Sequence, residues 1–186
     1  SGLYQIILYA ILAVFLAGLM VGRTPEYLGK KIEAFEMKMV VLAIMVPSFV
    51  VLAFTALAAR YAPEAVLNPG PHGLTEILYA FSSTTYNNGS SFAGLKADMT
   101  FYQLTTALAM TIGRFVVMGA VLALAGSLAQ KPRIPSTSST FPTTGSLFVG
   151  LLISVILITS GLIFFPAISL GPIAEQVSSW QTLPRL

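Results

Sequence analysis

Thr84-Thr85-Tyr86-Asn87-Asn88-Gly89-Ser90-Ser91-Phe92-Ala93-Gly94 is short, polar and uncharged, with long apolar segments on both sides. Polar backbone has few reasons to lie between membrane helices. One is to replace the water around a permeating ion. The stretch therefore reads as a pore loop, and the rest of the chain as its frame. No carboxylate occurs between Asn87 and Leu95, whereas calcium and magnesium sites normally use carboxylates. Neutral oxygens alone suit a monovalent cation. Two other readings stay open. Asn88-Gly89 is a strong hairpin-turn signal, but no alternating strands flank it. Asn88-Gly89-Ser90 also matches the glycosylation sequon, a short pattern that often arises by chance.

The segment before the loop, Leu74 to Tyr86, is apolar and too short to cross a bilayer, as expected of a re-entrant helix. Thr75 and Glu76 are expected in its first turn, where an acid complements the positive helix end. Its other end points a negative dipole end at Asn87-Asn88-Gly89-Ser90. That favours a cation, with carbonyl oxygens lining its path.

Composition sets the surroundings. Of 186 residues, 55% are hydrophobic and 9% charged, and the mean hydropathy is +0.82. Soluble domains carry about 25% charge, so an integral membrane protein is the expectation. The formal charge of +3 has no run dense enough for a nucleic-acid surface. Without cysteine, disulfides and zinc–thiolate sites are excluded. His72 is the only histidine, beside glycine and proline, and reads as a loop hydrogen-bonder rather than a metal ligand. The chain starts Ser1-Gly2 with no positive segment before its first apolar run, which reads as a piece of a longer membrane protein.

Four spans are expected: Leu3–Gly22, Met39–Ala59 with Pro47 inside, Met99–Ala129, and Ser146–Leu170 with Pro166 near its end. Gly18 and Gly22 form a GxxxG pair, the signature of close helix packing. Between the first two spans lie Arg23, Lys30, Lys31 and Lys38. Thr24-Pro25-Glu26 there reads as the start of a short interfacial helix. This loop is either a topology-setting surface or a docking surface for a partner. Tyr61 to Gly73, rich in proline and glycine and densest in them from Asn68 on, reads as an outside loop. Gln130–Gly145 reads as a flexible cytoplasmic loop. Gly171–Leu186 reads as a short amphipathic tail, with Trp180 at the membrane interface. The two loops assigned to the cytoplasm hold six basic residues and the opposite side three, as the positive-inside rule requires. Arg114 falls inside the third span, where burial in lipid costs about 2.5–3.5 kcal/mol. It must face water, a pore or a partner, either as a structural bridge or as a positive barrier beneath the loop.

Gly18 to Lys31 (GLMVGRTPEYLGKK), Leu67 to Gly73 (LNPGPHG), Asn87-Asn88-Gly89-Ser90, Gly113-Arg114-Phe115 and Pro142 to Leu152 (PTTGSLFVGLL) together resemble the KdpA family. These are potassium-binding and translocating subunits of bacterial Kdp potassium-transporting ATPases. The matches run through nearly the whole chain in the family's order. The resemblance implies an all-α membrane protein, part of four helix–pore-loop–helix repeats around one pore. Residues 1–38 would close the third repeat's outer helix and its cytoplasmic loop. Residues 39–129 would form the fourth repeat, 130–145 a cytoplasmic loop, and 146–186 a C-terminal membrane helix and tail. By the same resemblance Asn87, Asn88, Gly89 and Ser90 would be the fourth filter strand, and Arg114 would lie near the ion path. Arg23 would match a cytoplasmic-side arginine of the family, and Arg23, Lys30 and Lys31 would serve either the cytoplasmic loop itself or contact with the ATPase partner.

The implied function is binding and passage of potassium in the inner membrane. ATP would be hydrolysed by a P-type partner (KdpB-like), with small KdpC-like and KdpF-like accessory subunits. The chain has neither a P-loop pattern nor an Asp-Lys-Thr-Gly motif. Two alternatives stand beside this reading: an ATP-independent potassium channel or transporter of the same superfamily, and a structural scaffold.

Overall fold

The computed structural model describes residues 2–90, 94–135, 137 and 139–182, without the side chains of 179–182. The last part of the opening stretch, Ser91 to Ala93, and the interfacial placement expected for Trp180 therefore lie outside what is described. The main elements are α1 (Gly2–Val21), β1 (Glu26–Tyr27), β2 (Lys30–Lys31), α2 (Ala34–Tyr61), α3 (Pro71–Thr85), α4 (Thr100–Gln130) and α5 (Ser146–Thr182). Helices α1, α2, α4 and α5 are long and apolar enough to cross a membrane, which makes this a multi-pass, all-α membrane fold. The chain divides into two units, residues 1–45 with 116–160, and residues 46–115 with 161–186.

In the first unit, the end of α1 corrects one expectation. Gly22 takes φ +69°, Arg23 N–H donates to the Gly18 carbonyl at 2.8 Å and Gly22 N–H to Leu19 at 3.4 Å. That pairing is a Schellman stop, which needs a left-handed residue just past the helix. Gly22 thus terminates α1. Gly18 gives the returning chain room, because a Cβ there would lie 3.2 Å from that of Pro25. Both glycines of the expected packing pair are used in this turn.

The interfacial helix expected from Thr24-Pro25-Glu26 is absent. The chain forms a two-residue hairpin, with Glu26 opposite Lys31 and Tyr27 opposite Lys30. Leu28 and Gly29 both have positive φ, 51° and 73°, the requirement of a type I′ turn. Cross-chain partners override the local capping signal. Ile134 N–H donates to Gly29, and Thr24 N–H to Ser139, while Thr140 Oγ1 donates to the buried Glu26 carboxylate at 3.0 Å. The segment expected to be a flexible loop is therefore fastened to the hairpin at these positions.

Lysine chemistry ties the same unit together. Lys30 Nζ donates to the carbonyls of Leu128 and Lys131 at 2.5 and 2.7 Å, capping the negative end of α4. Lys131 bridges Glu33 at 3.0 Å and the buried Glu36 at 2.7 Å. Ser127 Oγ donates to the other Glu36 oxygen, and Glu33 N–H to Oε2. Buried charge is tolerated here because both carboxylate oxygens are answered.

In the second unit, Phe81 of α3 stacks between Phe54 of α2 and Tyr102 of α4, at ring centroid distances of 5.6 and 6.1 Å. Ala58, Ala80 and Ala109 fill the gaps around them. Small residues let the helices approach, and packing rather than water exclusion holds them in lipid. The Tyr102 hydroxyl donates to the Ala62 carbonyl, so its polar end is satisfied. Helix α5 runs through Pro166 and Pro172 to Thr182, so the expected tail continues the fourth span. Gly171 of α5 is pressed against α3, where a Cβ would stand 2.6 Å from Thr75 Oγ1.

Candidate functional site

The short helix α3 carries the polar stretch. Gly70 (φ +89°) turns the chain and Pro71 takes the first helical position, which suits proline's missing N–H. Helix α3 therefore begins three residues before the expected Leu74. His72 lies in its first turn rather than in a loop, and Thr75 and Glu76 fall in the second. His72 Nε2 lies 3.0 Å from Glu175 Oε1, both side chains being exposed. With 15 residues, α3 is about 22 Å long, short of the roughly 30 Å hydrocarbon core.

Its C-terminal end repeats the geometry seen at α1. Asn87 N–H donates to Thr84 at 3.0 Å and Asn88 N–H to Ser83 at 3.3 Å, and Asn87 holds φ +51°. Asparagine is the commonest replacement for glycine in this stop. The Asn87 side chain is committed to the frame, its Nδ2 donating to the carbonyls of Thr85 and Met110, each at 3.1 Å. Asn88 is committed too. Its Oδ1 accepts from Ser83 Oγ (2.8 Å), Ser90 N–H (2.9 Å) and Ser90 Oγ (2.6 Å). Ser83 Oγ also reaches the Ser90 carbonyl at 3.1 Å. Gly89, at φ +74° with open space where a Cβ would go, completes the turn.

The side chains of Asn87, Asn88 and Ser90 thus shape the loop. No described residue donates a hydrogen bond to the carbonyls of Asn87, Asn88 or Gly89. Three carbonyls without a donor among the described residues follow the negative end of a helix with no basic residue in its last turn. Chemically, that arrangement attracts a cation and can replace its water with neutral oxygens.

Helix α4 supports this turn from one side. A Cβ on Gly113 would fall 2.0 Å from the Thr85 carbonyl oxygen, so only glycine allows the approach. Arg114, the next residue, is exposed, and no described residue forms a hydrogen bond or ion pair with it. Thr85 is 1% exposed, and its Oγ1 has no hydrogen-bond partner among the described residues. Sequence reasoning missed Ser83 and Gly113 as parts of the site. The polar run Ser82-Ser83-Thr84-Thr85, on an otherwise apolar helix, was the available signal for the first. Arg23, Lys30 and Lys31 lie in the other unit. Arg23 and Lys31 are exposed, whereas Lys30 is spent on the end of α4. Among the described residues, no three His, Cys, Asp or Glu side chains gather as a metal cluster.

Comparison with known proteins gives concordant matches. The family described as "KdpA: Potassium-transporting ATPase A subunit" matches residues 1–177. A "Potassium-transporting ATPase potassium-binding subunit" of Bradyrhizobium diazoefficiens is 57% identical over 180 residues, covering 96% of this chain and 32% of that protein. A protein of the same description from Brucella anthropi is 56% identical with the same coverage. Another from Anaeromyxobacter dehalogenans is 56% identical over 188 residues, covering 100% of this chain and 32% of its own. The chain thus spans about a third of the length of these relatives.

Proposed function

The chain belongs to the KdpA family of potassium-transporting ATPase A subunits, and we propose that it supplies one quarter of a potassium selectivity filter. It is a multi-pass protein of the inner membrane. In the assembled protein, potassium arriving from outside sheds water and is held by carbonyls from four such loops, of which this chain gives Asn87, Asn88 and Gly89. Helix α3 acts as the pore helix, its negative end facing the ion. The loop's neutral oxygens favour a monovalent over a divalent cation. Arg114, exposed one residue beyond the contact of α4 with Thr85, is the positive barrier that prevents free flow through the pore. A P-type partner of the KdpB kind hydrolyses ATP, with KdpC-like and KdpF-like subunits beside it. Arg23 and Lys31 are offered on the surface that meets it.

The observation carrying this reading is the division of labour in the loop, where side chains are consumed and, among the described residues, nothing donates to the carbonyls. A filter strand needs both features, since rigid side-chain anchoring holds the carbonyls at a fixed spacing. The test is potassium-dependent ATPase activity of the full complex carrying Gly89→Ser or, separately, Arg114→Ala. At φ +74° any side chain strains the turn without a steric clash. The expected result for Gly89→Ser is a rise of roughly tenfold or more in the potassium concentration for half activation. An unchanged value in an assembled complex removes the loop from the selecting site. Potassium flux that persists without ATP, in the unmodified complex, favours a channel-like transporter instead.

A further inference from the structure

Away from the carbonyls, the base of the loop is closed by backbone. Leu67 N–H donates to Gly94 at 2.9 Å and Lys96 N–H to Ala65 at 2.8 Å, and Val66 bridges Leu95 in antiparallel fashion. The chain entering α3 and the chain returning from the loop are therefore stitched side by side. Glu76, in the second turn of α3, stands directly against this stitch. Its Oε1 accepts a hydrogen bond from Asn68 Nδ2 on the entering side. On the returning side, a Cβ added to Gly94 would lie 2.6 Å from Oε1 and 2.7 Å from Cδ. The missing Gly94 side chain is thus the space the carboxylate occupies. The other oxygen, Oε2, is shut from solvent and has no hydrogen-bond partner among the described residues.

That arrangement is expensive. A buried acceptor left unanswered gives up its hydration with nothing in return, and more so when charged. An apolar side chain would fill the place without that cost. Glycines grip the same end of α3 elsewhere. A Cβ on Gly73 would meet Val66 Cγ2 at 2.9 Å and the Asn68 carbonyl at 3.0 Å, and one on Gly171 would meet Thr75. Between Glu76 and Thr85, α3 is an uninterrupted helix, about 13 Å of rigid rod. A displacement at Glu76 is therefore delivered to Asn87 at the other end. The returning chain at Gly94 holds the opposite end of the same loop.

We propose that Glu76 is a positioning residue for ion discrimination. Seated between Asn68 and Gly94, its carboxylate fixes where α3 stands against the returning chain, and so sets the spacing of the Asn87–Gly89 carbonyls. The inference rests on the filter reading above. Glu76 does not itself touch the ion.

The experiment uses the full ATPase complex carrying Glu76→Ala, Glu76→Asp or Glu76→Gln. The readouts are the potassium concentration for half activation, the maximal rate, and the ratio of rubidium to potassium half-activation. Glu76→Asp keeps the charge but withdraws it by one carbon–carbon bond, about 1.5 Å. An ångström of misplacement can cost on the order of a hundredfold. Both Glu76→Ala and Glu76→Asp are therefore expected to raise the half-activating potassium concentration about tenfold or more. They are also expected to bring the rubidium ratio towards one, with maximal rate changing far less. Glu76→Gln, equal in length and still able to accept from Asn68, recovers most of the discrimination. Gly94→Ala drives the same contact from the other side, and reproduces the Glu76→Asp result should Glu76→Ala fail to assemble. If Gly89→Ser alters the rubidium ratio while the assembled Glu76→Ala and Glu76→Asp complexes keep it, the positioning role is overturned and the filter reading stands. If neither position moves the ratio, the filter reading itself fails.

Discussion

Gly113 and Gly119 are indistinguishable in the sequence of α4, yet their surroundings differ completely. A Cβ on Gly113 would lie 2.0 Å from the Thr85 oxygen, whereas one on Gly119 meets nothing within 4 Å. Gly113→Ala is therefore expected to destabilise the assembled protein by about 1–3 kcal/mol, the ordinary cost of overpacking. Gly119→Ala is expected to be neutral or stabilising by up to about 1 kcal/mol, through helix propensity. Thermal unfolding of both variants in detergent checks this, and equal melting temperatures would refute the close approach at Thr85. The same contrast applies to side chains of one type. Asn87 and Asn88 are adjacent amides. One works as a donor to two carbonyls from a left-handed backbone, the other as an acceptor for three donors.

Among the elements, the hairpin and its lysines form a latch with a definite pH signature. Hydrogen bonding and attraction from Lys131 lower the Glu33 carboxyl below its ordinary 4.5, joined by Lys31 and opposed weakly by desolvation. For Lys131, burial works against the charged form, but the hydrogen bonds it donates to Glu36 and Glu33 outweigh it and raise the group above 10.5. A lowered carboxyl contributes stability above its unfolded value and loses it as pH falls through the folded one. A raised amine contributes below its unfolded value and loses stability as pH rises through the folded one. The latch is thus expected to hold across the neutral range and weaken at both extremes. Melting temperature against pH, compared between the parent protein and Lys131→Met, should show a plateau that the variant lowers. A parallel offset at every pH would mean that Lys131 acts through packing alone.

For the molecule as a whole, sidedness follows from charge. The loop holding Arg23, Lys30, Lys31 and Lys38 should face the cytoplasm, and the segment around Glu64 the outside. The chain has no cysteine, and Lys38 and Glu64 are both exposed. Lys38→Cys and Glu64→Cys can therefore be labelled with a membrane-impermeant maleimide on intact cells. Glu64→Cys should react and Lys38→Cys should react only after lysis; the reverse pattern inverts the topology.

The class of the protein, its four spans, the short helix ahead of the polar stretch and its family were all legible in the order of residues alone. These follow from apolar run length, from where charge is missing, and from local motifs, all properties of neighbouring residues. Tertiary structure decided what the neighbours could not. Thr24-Pro25-Glu26 caps a helix in isolation. It forms a hairpin here because Ser139, Thr140 and Ile134, more than a hundred positions away, supply its hydrogen-bond partners. Gly18 and Gly22 spell a packing motif but serve a helix stop, since the left-handed turn at Gly22 brings Pro25 back over Gly18. Glu76 appears in the sequence as an acid at a helix start. Its placement against Gly94 depends on the loop closing upon itself, a long-range contact that no local periodicity encodes.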